Sequence, residues 1–353
     1  MPRVSRRRPS HERRAPPTKL PTQSRERATP NHRRQRDVPS STRRRRAVCA
    51  LVAAFISACA PSATDLGPDS ATTDAASEPL PCNLDARLCD RRLVEICLAG
   101  AHNAMASTAD GFAFPNQDLR FDALLELGVR ALLLDVHVWQ GPDGHGPAAL
   151  YLCHGSCLLG ATPLGEALLR LRGWLDAHPR DFVVVVLEVA APTDAVVAAI
   201  DAAGLSDRAL RWSHGATHAL GALLDAGKQL LWTAESGGGA PDWYHDQWAL
   251  VRETPYTFHS QAELRDEDGA DDACRPDRGS ADAPLLQVNH WVAKVLPTVA
   301  QSEAANALPV LLARAGHCAT LRGGPVNLLV VDHASRGEVV RAARILNGLE
   351  AAP

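Results

Sequence analysis

The sequence has 353 residues, 46% of them hydrophobic, so it is long enough for one large domain or two ordinary ones with a sizeable core. Its formal net charge of -3 combines two opposed parts, because the first 46 residues hold 16 of the 37 basic residues and 3 of the 40 acidic ones. The other 21 basic and 37 acidic residues have a net charge of -16, which argues against nucleic-acid binding because that binding relies on neutralised phosphates.

The N-terminal segment has the layout of an export signal. Residues 1–46 are rich in Arg, Pro and Ser and almost lack aliphatic residues, which predicts a basic disordered leader. Four arginines then precede the short apolar run of residues 47–59, AVCALVAAFISAC, which ends in small residues. Its last four residues resemble the lipobox of bacterial lipoproteins, whose Cys becomes the lipidated first residue. We therefore predict an exported protein, secreted or anchored to the cell envelope through Cys59; the alternative is a buried helix of about a dozen residues.

The chain after Cys59 is predicted to be a linker followed by a single disulfide-bonded domain. Residues 60–81 are rich in Ser, Thr, Ala, Asp and Pro, as in a flexible linker, and the folded domain is expected over residues 82–353. Seven cysteines in that part fit an oxidising compartment. Spacing does not fix their connectivity, and the pairs that we predict, with Cys97 left free, are Cys82/Cys89, Cys153/Cys157 and Cys274/Cys318. A zinc site at Cys153, His154 and Cys157 is the less favoured alternative, because it lacks the two-residue spacing of common zinc knuckles.

Apolar runs and helical patterns alternate through the folded part. The predicted strands are Glu95–Ala99, Val129–Val136, Ala148–Cys153, Phe182–Val189, Gln229–Thr233, Ala249–Arg252, Leu285–Val288 and Val326–Val331. The predicted helices are Asp118–Leu127, Pro163–His178, Thr193–Ala203, Thr217–Ala226, Val295–Arg314 and Arg336–Leu349. Eight strands interleaved with helices favour an α/β fold, an irregular (β/α)8 TIM-type barrel closed on itself, over a doubly wound open sheet. The second and third strands lack an intervening helix, so neither architecture would be regular.

Six of the eight predicted strands end in a carboxylate, an imidazole or an amide. These residues are His102 and Asn103, Asp135 and His137, His154, Glu188, Asn289 and His290, and Asp332 and His333. Such groups are costly to bury without partners, and strand propensity gives no reason for them to recur at strand ends. In a barrel the carboxyl ends of the strands surround one mouth, so the pattern predicts a polar site there.

These segments resemble the catalytic X domain of phosphatidylinositol-specific phospholipase C, from about Leu93 to Asn347. The resemblance is carried by LAGAHNAM, GVRALLLDVHVWQGPDG, ALYLCHG, PLGEALLRLRGWLDAHPRDFVVVVLEV and GPVNLLVVDHASRGEVVRAARILN. The elements CHGSC, DWYHDQWALVRETPYTF, ACRPDR and LLQVNHW are more particularly similar to secreted phospholipase-C-like phosphodiesterases. The family's irregular TIM barrel agrees with the strand count reached from the apolar runs.

The resemblance implies phosphodiester cleavage by two histidines, at His102 and His154. One assists attack of a headgroup hydroxyl on phosphorus, which forms a cyclic phosphate, and the other protonates the departing diacylglycerol oxygen. Imidazole suits both tasks because its pKa of about 6.5 lies near working pH. Which histidine is the acid and which the base stays open at this stage.

The negative charge that develops on phosphorus also requires a cation. In the family this is either an Arg two residues after the strand-end Asp, here His137, or a calcium ion. Asn103, Asp135 and Glu188 match the calcium-ligand positions, whereas Leu133 stands where a further glutamate ligand is found. Calcium accepts six to eight oxygens, so a calcium-assisted site is favoured. In the alternative, protonated His137 supplies the charge and Asp135 holds it in place.

Substrate contacts are predicted at Asn289, Trp243 and Asp332, each with a structural alternative such as core packing. The favoured function is an exported phosphodiesterase that cleaves an inositol-type phospholipid headgroup at the glycerol side. A glycerophosphodiester phosphodiesterase is the second candidate enzyme, although the Glu-x-Asp motif of those enzymes is replaced here by Leu133-Leu134-Asp135. A catalytically silent cell-surface binding barrel is the third, supported by the departures at Leu133 and His137.

Overall fold

A computed structural model describes residues 80–293 and 298–353 of the chain. The predicted leader (1–46), the export segment (47–59) and all but the last two residues of the linker (60–81) lie outside these described residues. Among the helices that the structure describes, none is both long and apolar enough to cross a membrane.

The described residues form ten strands and ten α-helices. The strands are β1 Leu98–Ala101, β2 Ala131–Trp139, β3 Ala149–Leu152, β4 Thr162–Pro163, β5 Val183–Ala190, β6 Leu230–Ala234, β7 Tyr244–Asp246, β8 Val251–Glu253, β9 Leu285–His290 and β10 Leu328–Val331. The helices are α1 Phe121–Glu126, α2 Leu164–Ala177, α3 Thr193–Ala202, α4 Trp212–Gly215, α5 Leu220–Asp225, α6 Gln247–Leu250, α7 Gln261–Arg265, α8 Val299–Ala305, α9 Leu308–Arg322 and α10 Val339–Leu346.

Eight parallel strands form one curled sheet in the order β7-β6-β5-β2-β1-β10-β9-β8. This confirms the irregular (β/α)8 barrel, but the predicted closure is incomplete, because within the described residues β7 and β8 do not pair with each other. Only the four residues of α6 separate these two strands. Parallel neighbours need a connection of a dozen or more residues, so β7 and β8 cannot pair side by side in parallel.

The third predicted strand is present but does not belong to the barrel wall. β3 pairs with β2 in antiparallel fashion, and β4 pairs with β3. The nine-residue connection from β2 to β3 explains the direction, since it is shorter than the dozen or more residues that a parallel crossover needs. β7, which the sequence analysis missed, takes the eighth place in the wall. The hairpin returns to the barrel mouth, where the backbone N–H of Cys153 donates to the carbonyl of Asp135 at 3.2 Å.

The predicted helix Val295–Arg314 is instead two helices, α8 and α9. Pro309 lies in the first turn of α9, where its missing N–H costs nothing, whereas the interior of a longer helix would exclude it. Between the two helices, the Asn306 side-chain amide donates to the carbonyl of Asp332 at 2.8 Å. The break therefore ties this connection to the end of β10.

Side chains that face the barrel interior change from apolar to polar along each strand. Alternate strand residues face the same side, so an interior position recurs every two residues. The lower interior is an apolar cluster that includes Ala131, Val184 and Leu328. Four residues further along the same strands come Asp135, Glu188 and Asp332. The apolar floor stabilises the barrel, and the polar ends of the strands form its mouth.

A second apolar core lies between the outside of the sheet and the helices, and it includes Cys274 and Cys318, which form one of the three disulfides. The bonds Cys82–Cys89, Cys153–Cys157 and Cys274–Cys318 confirm the predicted pairs, and Cys97 is free and buried. The bond between Cys153 and Cys157 replaces the zinc alternative at that position. Cys274–Cys318 closes a separation of 44 residues, for which chain entropy gives roughly 4 kcal/mol.

Candidate active site

Two connected cavities open at the barrel mouth. The outer one has a volume of about 510 Å³ and the deep one about 290 Å³. Both are lined by His102, Asn103, Asp135, Glu188, Tyr256 and Trp291, which mark the junction between them. The outer cavity also contacts His137, His154 and Asp332, and the deep cavity contacts Asn289. Eight of the nine predicted site residues therefore line this space, from strand ends far apart in the sequence.

His102 follows β1 and is held in a fixed orientation. Its Nδ1 lies 2.8 Å from Oδ1 of Asp332, a nearly buried carboxylate at the end of the neighbouring strand β10. Its ring stacks on Trp291 with the centroids 3.8 Å apart and the planes 7° from parallel. Because Nδ1 is engaged by the carboxylate, Nε2 is the ring nitrogen left to act in the cavity.

Asn116 links the His102–Asp332 pair to Asn103. Its amide nitrogen donates to Oδ1 of Asp332 at 3.1 Å, and its oxygen accepts from Nδ2 of Asn103 at 3.3 Å. This bond uses the amide nitrogen of Asn103 and leaves its oxygen for another partner. Asn103 has a φ of 44°, in the left-handed region that asparagine adopts more easily than most residues.

His154 is the more exposed of the two histidines. Its Nδ1 lies 3.2 Å from Oδ2 of Asp135, and its side chain is 45% exposed. The disulfide between Cys153 and Cys157 closes the short loop that carries it. The hydrogen bond to Asp135 raises the pKa of His154, against the opposing effect of burial. His154 therefore stays protonated to higher pH than an ordinary histidine.

Two carboxylates stand side by side on β2 and β5, at the level of the barrel mouth. Asp135 and Glu188 are register partners on these adjacent strands. Burial, followed by the charge of Asp135, raises the pKa of Glu188, against the opposing charges of Arg278, His137 and His154. Together with the free oxygen of Asn103, the two carboxylates form a set of hard oxygen donors that fits calcium. Leu133 faces the deep cavity two residues before Asp135 and offers no oxygen.

His137 lines the outer cavity, but its predicted contact with Asp135 is not the one observed. Asp135 bonds to His154 instead. The hairpin explains this, because β3 runs back along β2 and brings His154 beside Asp135. His137 is thus a half-buried imidazole on the wall of the outer cavity.

The three predicted substrate contacts have different positions. Asn289 lies in the deep cavity, but its amide donates to Glu253 and to the carbonyl of Thr254 at 3.1 and 2.8 Å, so it is committed to a protein network. Asp332 is the partner of His102. Trp243 was placed wrongly, because its indole is buried in the outer core and lines neither cavity. Sequence alone does not tell which side of the sheet an aromatic residue faces.

Sequence reasoning gave no role to several residues of the site, among them Asn116, Glu235, Glu253, Arg278 and Trp291. Nη1 of Arg278 lies 2.7 Å from Oε2 of Glu235, and its Nε bonds to the fully buried Glu253. The guanidinium also lies between the rings of Trp248 and Tyr256, at 4.4 and 4.5 Å from their centroids. Strand periodicity could have found Trp291, which lies two residues after Asn289. Arg278 lies in a loop, where periodicity gives no signal, although it ends the ACRPDR element that carries part of the family resemblance.

Comparison with known proteins agrees with this geometry. A family model described as PI-PLC X matches residues 88–347, well over half of the chain. The chain belongs to this PI-PLC X family. A PI-PLC X domain-containing protein of Arthroderma benhamiae is 26% identical over 299 residues, covering 77% of this chain and 91% of the relative. An uncharacterized protein of Mycobacterium tuberculosis is 34% identical over 119 residues, or 29% of this chain and 24% of the relative.

Solved structures of this fold include phosphatidylinositol-specific phospholipases C. A mutant of the Staphylococcus aureus enzyme superposes with a TM-score of 0.51 at 13% identity, covering 75% of this chain and 95% of that one. The Listeria monocytogenes enzyme gives a TM-score of 0.50 at 13% identity, with 75% and 96% covered. At this identity the similarity shows the PI-PLC X fold, the irregular TIM barrel predicted from the sequence.

Proposed function

We propose that this PI-PLC X protein is a phosphodiesterase that cleaves an inositol-type phospholipid headgroup at the glycerol side by acid–base catalysis with two histidines. One observation carries the proposal: His102 and His154 line one cavity, and each is held through Nδ1 by a carboxylate, Asp332 or Asp135. That arrangement leaves Nε2 of both rings for proton transfer. Membership in the family supports the reaction class.

The two imidazoles take different tasks. His102, the general base, accepts the proton of a headgroup hydroxyl as that oxygen attacks phosphorus, and Asp332 stabilises the imidazolium that forms. His154, the general acid, gives its proton to the glycerol oxygen as the bond from phosphorus to that oxygen breaks. The products are diacylglycerol and a cyclic phosphate of the headgroup. The raised pKa of His154 supports this assignment, because it keeps the acid protonated near neutral pH.

The two cavities suggest how the substrate lies. The scissile phosphate would occupy their junction, between His102 and His154, where Asn103, Asp135 and Glu188 also meet. The headgroup would extend into the deep cavity, and the glycerol would leave through the outer one. These three oxygen ligands would hold calcium, which when bound neutralises negative charge on the phosphate. His137 is the alternative source of positive charge, from the wall of the outer cavity.

Export is part of the proposal. Support comes from the apolar run of residues 47–59 after four arginines and from the three disulfides of the folded domain. A lipidated Cys59 would tether the barrel to a membrane through the linker of residues 60–81. Mass spectrometry of the exported protein tests this point, and an unmodified terminus upstream of Cys59 would refute the anchor.

A panel of phosphodiesters tests the reaction, assayed with calcium and with a chelator. We expect phosphatidylinositol vesicles to release a cyclic inositol phosphate, and calcium to be required. If the protein cleaves glycerophosphodiesters and leaves intact phospholipids uncleaved, the result would favour the second candidate, a glycerophosphodiester phosphodiesterase. Activity that survives the chelator would refute the calcium hypothesis and favour His137 as the source of positive charge. If no phosphodiester is cleaved while the barrel and its His102→Ala variant bind cells equally, the protein is a silent binding module.

A further inference from the structure

One buried amide, that of Asn116, joins two parts of the candidate site that the proposed reaction uses for different tasks. Its nitrogen donates to Oδ1 of Asp332 at 3.1 Å, and its oxygen accepts from Nδ2 of Asn103 at 3.3 Å. Asp332 is the partner of the base His102, and Asn103 is one of the proposed calcium ligands. Among the described residues, no other side chain bonds to the side chains of both Asp332 and Asn103.

On the Asp332 side, Asn116 shares its acceptor atom with the base. The same carboxylate oxygen, Oδ1, lies 2.8 Å from Nδ1 of His102 and accepts from the amide of Asn116. Asp332 is 3% exposed and Asn116 is 6% exposed, so little water can take the place of the amide. The donor from Asn116 therefore helps to hold the carboxylate, and with it the direction in which Nε2 of His102 points.

On the Asn103 side, Asn116 decides which end of an amide is left for a ligand. Because Nδ2 of Asn103 donates to Asn116, its oxygen is left for the cavities that Asn103 lines. Flipping the amide of Asn103 would place two amide oxygens against each other, and flipping that of Asn116 would place its oxygen against Asp332. The chain of bonds thus fixes the orientation of both amides.

The segment that carries Asn116 is itself fixed at the barrel mouth. The N–H of Asn116 donates to the carbonyl of Ala106 at 2.9 Å, and its carbonyl accepts from the N–H of His333 at 2.7 Å. The side chain of the next residue, Gln117, donates to the carbonyl of His102 at 2.7 Å. These bonds tie the segment to the ends of β1 and β10, so the amide of Asn116 projects from a fixed support.

We propose that Asn116 is a positioning residue that keeps the base and an oxygen ligand of the cation in one relative geometry. Its nitrogen orients Asp332 and, through it, His102, whereas its oxygen orients Asn103. This rests on the proposed function, in which His102 accepts a proton and Asn103 supplies an oxygen to calcium. The two effects use different atoms of one amide, so substitutions can separate them.

The main test replaces Asn116 by alanine and by aspartate. Asn116→Ala removes both bonds, so at saturating calcium kcat should fall about tenfold with little change in KM, and the calcium concentration for half-maximal activity should rise about tenfold. Asn116→Asp keeps an acceptor for Nδ2 of Asn103 but places a second carboxylate against Asp332. We therefore expect kcat to fall at least about tenfold while the calcium requirement stays near that of the wild type.

Asn347→Ala is the matched control. Asn347 is 5% exposed, and its side chain also makes two hydrogen bonds, with the backbone N–H and carbonyl of Cys97 at 2.8 Å each. Cys97 precedes β1, whereas His102 follows it, so these bonds lie at the other end of that strand. Asn347→Ala should lower the melting temperature as Asn116→Ala does, but leave kcat and the calcium requirement unchanged.

Two results would overturn the inference. One is that the Asn116→Ala and Asn347→Ala proteins have the same kcat and the same calcium requirement. The other is that Asn116→Asp raises the calcium requirement as much as Asn116→Ala does. If Asn116→Ala does not fold, Asn116→Asp decides alone: a loss of kcat at an unchanged calcium requirement supports the positioning role, and a change in both or in neither refutes it.

Two measurements without substrate separate this inference from the reaction itself. Calorimetry should show calcium binding about tenfold weaker in Asn116→Ala than in Asn347→Ala, which tests the Asn103 end. Proton NMR should show a shifted resonance for the Nδ1 proton of His102 in Asn116→Ala alone, which tests the Asp332 end. Absence of either difference, or a wild-type protein that binds no calcium, would overturn the corresponding end of the assignment.

The activity assays then divide the outcomes. If no phosphodiester is cleaved but both differences are found, the phosphodiesterase proposal fails and the positioning role of Asn116 stands. If phosphodiesters are cleaved but the Asn116→Ala protein matches the Asn347→Ala control in every measurement, the reaction stands and the positioning role fails.

Discussion

His102 and His154 line the same cavity from two regions of the molecule that are built differently. His102 follows a wall strand, stacks on Trp291 and bonds to a nearly buried Asp332. His154 lies 45% exposed on a hairpin outside the wall, in a loop closed by a disulfide. The first region holds one geometry through packing and a hydrogen-bond network. The second depends on one hydrogen bond and one covalent bond, which suits the general-acid role that we propose for His154.

The largest expected effect is the loss of either imidazole. His102→Ala and His154→Ala should each lower kcat by about 10³-fold, and the double variant should lose little more, since the two groups act in one step. The matched control is His218→Ala, which removes an exposed imidazole whose contacts are with the adjacent Thr217 and His214. Activity of either single variant near that of the control would contradict the two-histidine mechanism.

The partner of His102 should matter next. Asp332→Asn keeps the shape but replaces the carboxylate that accepts from Nδ1, so we expect kcat to fall about 100-fold with little change in KM. Circular dichroism and the melting temperature serve as folding controls. A change confined to KM would show instead that Asp332 contacts the substrate.

Calcium dependence tests the proposed oxygen ligands at the junction. Glu188→Gln should raise the calcium concentration needed for half-maximal activity by about tenfold, because a charged ligand is replaced by a neutral one. Glu338→Gln, a partly exposed residue at the start of α10, is the control. The same calcium requirement in both variants would exclude Glu188 as a ligand.

The pH profile distinguishes the two histidines. A general acid must be protonated, so activity should fall as pH rises through the pKa of His154, which Asp135 raises. Asp135→Asn removes the main cause of that shift and should move this alkaline limb to lower pH, toward the ordinary histidine value of about 6.5. Saturating calcium in both assays separates this effect from weakened metal binding. If the alkaline limb does not move, it reports the titration of a group other than His154.

The smallest effect is expected from the covalent support of His154. Replacing Cys153 and Cys157 by serine should lower activity a few-fold and stability by roughly 2 kcal/mol, because the closed loop is short. Replacing Cys274 and Cys318, whose separation is 44 residues, should cost more stability and leave kcat unchanged. Urea unfolding beside the vesicle assay measures both. Unchanged activity in the variant that lacks Cys153 and Cys157 would mean that this disulfide does not position His154.

Long apolar runs made the wall strands predictable, and strand-end polar residues made the cavity predictable. β7 escaped because three residues give no periodic signal, and the direction of β3 depended on how the loop of residues 140–148 closes. Glu235 directly follows β6, as Asp332 follows β10, and was within reach of the same reasoning. Arg278 was not, because tertiary packing brings its loop to the mouth. The prediction that Trp243 contacts substrate failed for a related reason, since the neighbours of an aromatic residue in space decide which face of the sheet it packs against.

Phosphatidylinositol vesicles incubated with the protein and calcium test the central claim most directly, with the products followed by phosphorus NMR. We predict diacylglycerol together with a cyclic inositol phosphate, and neither product from the His102→Ala and His154→Ala proteins. Formation of cyclic phosphate at the wild-type rate by either variant would contradict the pairing of these two imidazoles across the cavity.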